Sequence, residues 1–383
     1  MKLQEKVFIH KANTTSREFF VVDEGVKCVH YGDIYKNYSG KTIKSSAIIN
    51  SFGKEISQGK LLTCDSIIVP DVTETVSDWG HFTYIEYDGT PYINGTHALA
   101  LTCQSKTTLK YLFRYLSSNY NRLRLQTLLN GSTVFQISVK NFNQFELLDY
   151  HENKETQQHI VDILGSLDDK IENNELQIQK TNELIEKLFR KNISDVEYRT
   201  LGELCLTITK GTTPTTLKRS FVATGIPFIK VESLTESHQI DISKVAYIDE
   251  ETHNLLQRSQ LKQGDLLLSI AGTIGRFALL PDTIKIANTN QAVAILRGEK
   301  VSQQYLYALF ISGYCDEQIK AKTVQAVQAN LSLSVIASLS VPLITDEKFH
   351  SALNCLCDRI DYMGKEILKL NELKQLYLKK FFG

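Results

Sequence analysis

Across residues 152–191 the apolar positions advance in alternating steps of four and three: Ile160, Leu164, Leu167, Ile171, Ile178, Ile185 and Leu188, with polar Asn174 and Thr181 keeping the same beat. A 3.5-residue repeat sustained this long keeps its stripe on a partner helix instead of letting it drift around its own axis. The partner lies in the same chain. Phe349, Leu353, Leu356, Ile360, Met363, Ile367, Leu370, Lys374 and Tyr377 repeat the steps 189 residues later, and Asn182-Glu183-Leu184 recurs in register as Asn371-Glu372-Leu373. The pattern predicts two long helices packed as an antiparallel intramolecular coiled coil, with Asn174 and Thr181 either fixing the register or, if the helices diverge there, lying on a polar surface. At about 1.5 Å per residue such a helix extends roughly 60 Å.

On either side the period changes. Before the first long helix, β-branched and aromatic runs at 19–22, 26–31, 61–69, 81–87 and 98–102 are separated by Ser39-Gly40, Phe52-Gly53, Asp88-Gly89 and Asn94-Gly95, the signature of short strands and turns. One helical pattern interrupts them at 107–129, with Leu109, Leu112, Phe113, Leu116, Tyr120 and Leu123 on one face, Thr107 or Thr108 as N-cap and Asn130-Gly131 as the stop. After the helix the pattern starts again. Strands are expected at 201–208, 226–231, 245–248, 265–270, 277–280 and 291–296, a matching helix at 302–320, and a lead-in to the terminal helix at 331–342.

The two halves superimpose. Residues 25–30 lie over 225–230 and residues 65–69 over 265–269 at an offset of 200; residues 98–101 lie over 292–295 and 137–139 over 331–333 at 194; the long helices follow at 189. An offset that changes in two steps is what loop-length differences leave in a duplicated unit. The expected fold is therefore α+β: two globules, mostly β with helices, at 1–150 and 192–345, joined by long helices at 151–191 and 346–383, with an internal pseudo-twofold repeat.

Composition narrows the chemistry. Lys and Arg number 43, as do Asp and Glu, so the net charge is zero. Counted by segment it is +2 over 1–150, −3 over 151–191, 0 over 192–345 and +1 over 346–383. A histone-like polybasic binder is excluded, and any field that attracts nucleic acid must be local. The seven cysteines are scattered without a C-x-x-C, and the nine histidines show no ligand spacing, so no metal is expected. There is no G-x-G-x-x-G, no phosphate-binding G-x-x-x-x-G-K-[ST], and no Pro-Pro of the kind amino-methyltransferases place at a target base. No cofactor or catalytic centre is expected. The N-terminus lacks a signal-peptide core and no apolar run could span a bilayer, so a cytoplasmic protein without a membrane partner is expected.

Leu201-Gly202-Glu203-Leu204, Lys210-Gly211-Thr212-Thr213-Pro214, residues 225–230, residues 264–275 and residues 331–343 together resemble the target recognition domain of type I restriction-modification specificity subunits. The long helices resemble that family's central and C-terminal conserved regions, and the endings 187–191 and 378–382 its helix ends. The likeness spans nearly the whole chain and is sharpest in the second half; the first has Ser77-Asp78-Trp79-Gly80 where the second has Gly272-Thr273-Ile274-Gly275. It implies a non-catalytic DNA-recognition subunit. Each globule reads one part of a split target in the major groove of double-stranded DNA. The coiled coil sets the spacer and docks methyltransferase subunits, through which a nuclease/translocase subunit joins; the free subunit is open to self-association. A coiled-coil scaffold or orphan recognition protein that binds protein partners without restriction is the alternative, favoured by the zero net charge.

Polar loop residues are the candidate DNA contacts, since Lys and Arg anchor phosphates or pair with guanine and glycines let a backbone approach closely. In the first globule these are Tyr35, Lys36, Asn37, Tyr38, Ser39, Lys41 and Lys44, then Ser77, Trp79 and His81, although a lone tryptophan such as Trp79 is more often a packing residue than a contact. In the second they are Lys210, Thr212, Thr213, Thr215, Lys218, Arg219, Lys230, Gly272, Thr273 and Arg276.

Overall fold

The computed structural model describes residues 1–21, 24–54, 56, 60–324 and 330–383. Two compact units emerge, Met1–Lys170 with Leu370–Gly383, and Ile171–Lys369. Each long helix, Lys154–Lys191 and Glu347–Phe382, contributes one part to each unit.

The first unit is built on a sheet of five strands in the order Phe8–His10, Ala98–Thr102, Ser66–Pro70, Thr83–Glu86, Thr42–Lys44, antiparallel except for its last pair. Helix Lys106–Ser117 covers it, packing Leu109, Leu112, Phe113 and Leu116 against Ile67, Val69, Leu99 and Leu101. A second sheet orders Phe20–Val21, Ser51–Phe52, Val26–Val29 and Tyr92–Asn94, the last pair parallel. The second unit repeats this plan. Cys205–Lys210, Val293–Gly298, Leu266–Ser269 and Phe277–Leu279 form an antiparallel sheet covered by helix Gln303–Ile311; Ala246–Ile248, Ile226–Ile229, Ala287–Thr289 and Gln260–Leu261 form the second.

The register confirms the duplication residue by residue. His10 faces Ala100, which faces Ile68; Lys210 faces Ala294, which faces Leu268. Adding 200, 194 and 200 converts one set into the other. Gly25 and Gly225 show why glycine recurs: both have positive φ, and a Cβ there would lie 2.3 Å from the Phe52 carbonyl oxygen or 2.4 Å from that of Ile248. No other residue tolerates both conditions.

In each unit the two long-helix segments run antiparallel. Ile160 and Leu164 share the first core with Leu378 and Phe382, and Lys374 Nζ bonds Asp168 at 2.6 Å. Ile178, Ile185 and Phe189 share the second with Phe349, Leu353, Ile360 and Met363. Leu167, Ile171, Leu188, Leu356, Ile367, Leu370 and Tyr377 are half-buried. Asn174, itself buried, donates to Glu366 of the opposite helix at 2.8 Å, the kind of polar seam contact that specifies register. Thr181 instead donates to Gln177 of its own helix at 2.7 Å.

Several element boundaries differ from the pattern. The helix expected at 107–129 is two, Lys106–Ser117 and Asn119–Gln126, because Ser118 is extended (ψ 146°) and its hydroxyl caps the second. The N-cap of the first is Ser105, and Tyr120 and Leu123 fall on an exposed face. Likewise 302–320 breaks at Gly313 (φ +67°) into Gln303–Ile311 and Asp316–Val324. Residues 201–208 begin with a helical turn, Leu201–Leu204, whose Glu203 carboxylate accepts from the Thr200 amide, before the strand Cys205–Lys210. Residues 331–342 contain helix Leu333–Ala337 and strand Ser340–Leu343. The run at 19–22 is a turn followed by strand Phe20–Val21, with Val22 outside the described residues. Burial holds the thiols of Cys28, Cys205, Cys315 and Cys357 up at about 12, as packing residues rather than nucleophiles. Among the described residues no helix is long and apolar enough to cross a membrane.

Candidate nucleic-acid interface

Strand direction decides which loops share a surface. In the second unit Cys205–Lys210 and Leu266–Ser269 both run antiparallel to Val293–Gly298, so both end beside its start: Lys210 faces Ala294, and Ser269 faces Val293. Ile226–Ile229 runs parallel to Ala287–Thr289, which leads into the same start through Asn290, Gln291 and Ala292. The loops after Lys210, Ile229 and Ser269 therefore leave the sheets at one end. The first unit obeys the same logic, with loops after His10, Val29 and Pro70.

The loop at 211–219 presents Lys210, Thr215 and Lys218 to solvent, Lys218 in the left-handed region at φ +56°. Its inner residues are tethered. The Thr212 amide donates to the Thr289 carbonyl at 3.2 Å, Thr212 Oγ1 accepts from Arg258 at 3.3 Å, and the Thr213 hydroxyl donates to Gln291. Arg219 is ion-paired with Glu251, and Lys230 with Glu232 at 2.9 Å. The turn at 270–276 carries Gly272 (φ +73°) and Gly275 (φ +91°), both with open space where a Cβ would stand, and exposed Thr273. Arg276 ends this turn half-buried, held by Glu236 Oε1 at 3.3 Å and the Leu234 carbonyl at 3.4 Å.

In the first unit Lys36, Asn37, Ser39, Lys41, Lys44 and Ser77 are exposed, and the lysines make no ion pair among the described residues. Tyr35 and His81 pack ring to ring at 4.9 Å. The Tyr35 hydroxyl donates to the Val72 carbonyl at 2.9 Å, and Ser39 Oγ lies 2.6 Å from His81 Nδ1. Burial, reinforced by Arg122, holds the imidazole below its ordinary pKa; burial likewise raises the Tyr35 phenol. Two candidates are core side chains instead. Trp79 is wholly buried with its indole N–H donating to the Pro70 carbonyl at 2.9 Å, and Tyr38 is 5% exposed with its hydroxyl accepting from the Ile49 amide. Neither ring can reach a base edge without unpacking the core.

The register also exposes an omission. The second unit's loop 211–219 has its counterpart after His10, at 11–17. The first unit's loop 31–44 has its counterpart at 231–244, where Lys230 and Ser233 repeat the capping arrangement of His30 and Asp33, and buried Leu234 repeats buried Ile34. Neither counterpart was among the candidates, although adding or subtracting 200 along the sequence points to both. Gln291 and Arg258, which tether the 211–219 loop, carry no local sequence signal; only the fold brings them there.

The type I restriction modification DNA specificity domain model matches residues 17–183 and again 193–353. The chain is 23% identical over 167 residues to the type I restriction enzyme EcoBI specificity subunit of Escherichia coli, a match covering 41% of this chain and 35% of that relative's length. The crystal structure of a type I restriction-modification S subunit from M. genitalium superposes with a TM-score of 0.56 at 16% identity, covering 100% of this chain and 95% of the other. At that identity the likeness bears on the fold alone.

Proposed function

Because the chain belongs to the type I restriction modification DNA specificity family, a non-catalytic one matched over both of its halves, we propose that it is the sequence-reading subunit of a type I restriction-modification complex. Residues 1–150 and 192–345 act as two target recognition domains, each reading one part of a split duplex target in the major groove. The helices at 151–191 and 346–383 set the unread spacer and dock the methyltransferase subunits, and a nuclease/translocase subunit joins through them. The observation that carries this reading is the gathering of three loops at one end of the sheets in each unit. There Lys36 and Lys41, or Lys210 and Lys218, stand without carboxylate partners among the described residues, whereas Lys44, level with Glu86, lies toward the other end of the sheet. Cations anchor phosphates and the hydroxyls and amides around them can read base edges, whose donor and acceptor pattern in the major groove distinguishes all four pairs.

The test is the methylation motif produced by the full chain with its cognate methyltransferase subunits. Inserting one heptad into both long helices is expected to lengthen the unread gap while leaving the two half-sites intact. A motif with an unchanged gap would remove the ruler role, and a motif without two parts would remove the split-target reading.

A further inference from the structure

The two units share a fold but differ in the charge of matched loops. At the offset of 200, exposed Lys36 and Lys41 of the first unit stand where the second has Glu236 and Asp241. Those carboxylates are occupied within their own unit, Glu236 with Arg276 at 3.3 Å and Asp241 with Lys244 at 3.2 Å. The second unit's 231–244 loop therefore spends its acids neutralising the neighbouring cations, and among the described residues the exposed cations left without a carboxylate partner on this face are Lys210 and Lys218 of the preceding loop and Arg258, which donates to Thr212.

Among the described residues the first unit shows no such neutralisation in its matched loop. Its 11–17 loop is held as the 211–219 loop is: the Asn13 amide donates to the Asn94 carbonyl at 3.1 Å, as Thr212 does to Thr289, and Thr15 and Thr96 exchange amide-to-hydroxyl bonds at 2.7 and 2.9 Å. From this clamped loop Lys11, Thr14, Ser16 and Arg17 face solvent. Arg17 reaches the neighbouring loop: its Nη2 lies 3.3 Å from where a Cβ on Gly32 would stand, and its charge adds to burial in holding His30 below its ordinary pKa. The 11–17 and 31–44 loops thus adjoin, and among the described residues neither Lys11, Arg17, Lys36 nor Lys41 has an ion-pair partner.

We infer that the 11–17 loop is a DNA-facing surface of the first unit, that Lys11 and Arg17 contact backbone phosphates on it together with Lys36 and Lys41, and that the first unit is the principal electrostatic anchor of the subunit. The inference rests on the reading of both units as DNA-recognition domains. Phosphate contacts position a protein without carrying sequence information, so the second unit, with fewer free cations, depends more on base contacts for its grip.

The experiment measures binding of the full chain, with its methyltransferase subunits, to a fluorescent mixed-sequence duplex across a salt series. Neutralising both cations in Lys11→Gln/Arg17→Gln is expected to weaken binding about tenfold at low salt and to flatten the log–log salt slope by about two, since each phosphate contact releases about 0.9 counterion. The charge-preserving Lys11→Arg/Arg17→Lys is expected to keep the wild-type slope, which a fold defect would not do. Lys210→Gln/Lys218→Gln in the second unit is the reference. If only that reference variant loses slope, the 11–17 loop faces no phosphate and the inference is overturned while the functional reading stands. If neither variant changes slope, the DNA-recognition reading falls with it.

Discussion

Gly211 offers the most direct check on how the second unit's reading loop is held. The spacing from Lys210 to Thr212 is one residue shorter than the matching spacing from His10 to Asn13, yet both loops make the same amide bond to the neighbouring strand end. The shorter path presses Gly211 against that strand: a Cβ there would lie 2.0 Å from the Thr289 oxygen, 2.3 Å from its carbonyl carbon and 2.7 Å from the Asn290 oxygen. These are backbone atoms. They cannot yield readily, because Thr289 pairs with Ile229 and its hydroxyl donates to the Ile229 carbonyl at 2.7 Å. In Gly211→Ala the loop must swing out, giving up the Thr212 amide bond and the Thr213–Gln291 bond. Two hydrogen bonds at about 1 kcal/mol each, with overpacking of about 1 kcal/mol that the swing leaves unrelieved, give a cost of roughly 3 kcal/mol. Hydrogen exchange at the Thr212 amide should accelerate by about two powers of ten, and binding should weaken through the displaced Lys210 and Lys218. Gly272→Ala is the contrast, since its Cβ would meet nothing within 4 Å and the cost is only that of φ +73°, about 1 kcal/mol. Unchanged protection at Thr212 in Gly211→Ala would refute the argument that chain length makes glycine obligatory there.

Two further predictions concern the second unit. Asp265 is wholly buried and takes both nitrogens of Arg297, Nε at 2.7 Å and Nη2 at 2.6 Å, so Arg297→Met should leave an unpaired buried carboxylate and cost about 3–5 kcal/mol in urea unfolding; a loss under about 1 kcal/mol would show that water reaches the site. His238 stacks on Phe277 with ring centroids 4.0 Å apart, and burial holds its imidazole below the ordinary value of 6.5. Because the unfolded chain then takes up the proton first, stability should fall as pH drops through about 6.5 and below. His238→Phe should flatten that fall in thermal melts, and an identical pH slope in the variant would place the titration elsewhere.

Much of the architecture was legible because it rests on periodicity and repetition. The 3.5-residue seam of Ile160 to Leu188 and its copy from Phe349 require only that apolar faces be buried, and the offsets of 200 and 194 reappear unchanged as the strand registers of His10 with Ala100 and Lys210 with Ala294. Local backbone chemistry was read less well. Ser118 and Gly313 break helices whose apolar pattern runs on, because a hydroxyl cap and a left-handed glycine act on a few dihedrals that periodicity does not see.

The sequence by itself determined that the chain is duplicated, that two amphipathic helices must pair, and that no strong charge field covers either half. Only the tertiary structure decided which polar residues face solvent. Tyr38 looks like a loop aromatic but points into the core, Trp79 takes the packing role that the sequence left open beside a contact, and Arg276 looks free but is held by Glu236. Lys11 and Arg17, which no local pattern marks, face solvent without an ion-pair partner among the described residues, Arg17 beside Gly32. The physical reason is range. Burial of a helix face is decided by neighbours three and four residues away, whereas the exposure of a loop side chain is decided by strands and carboxylates brought to it from tens of residues along the chain.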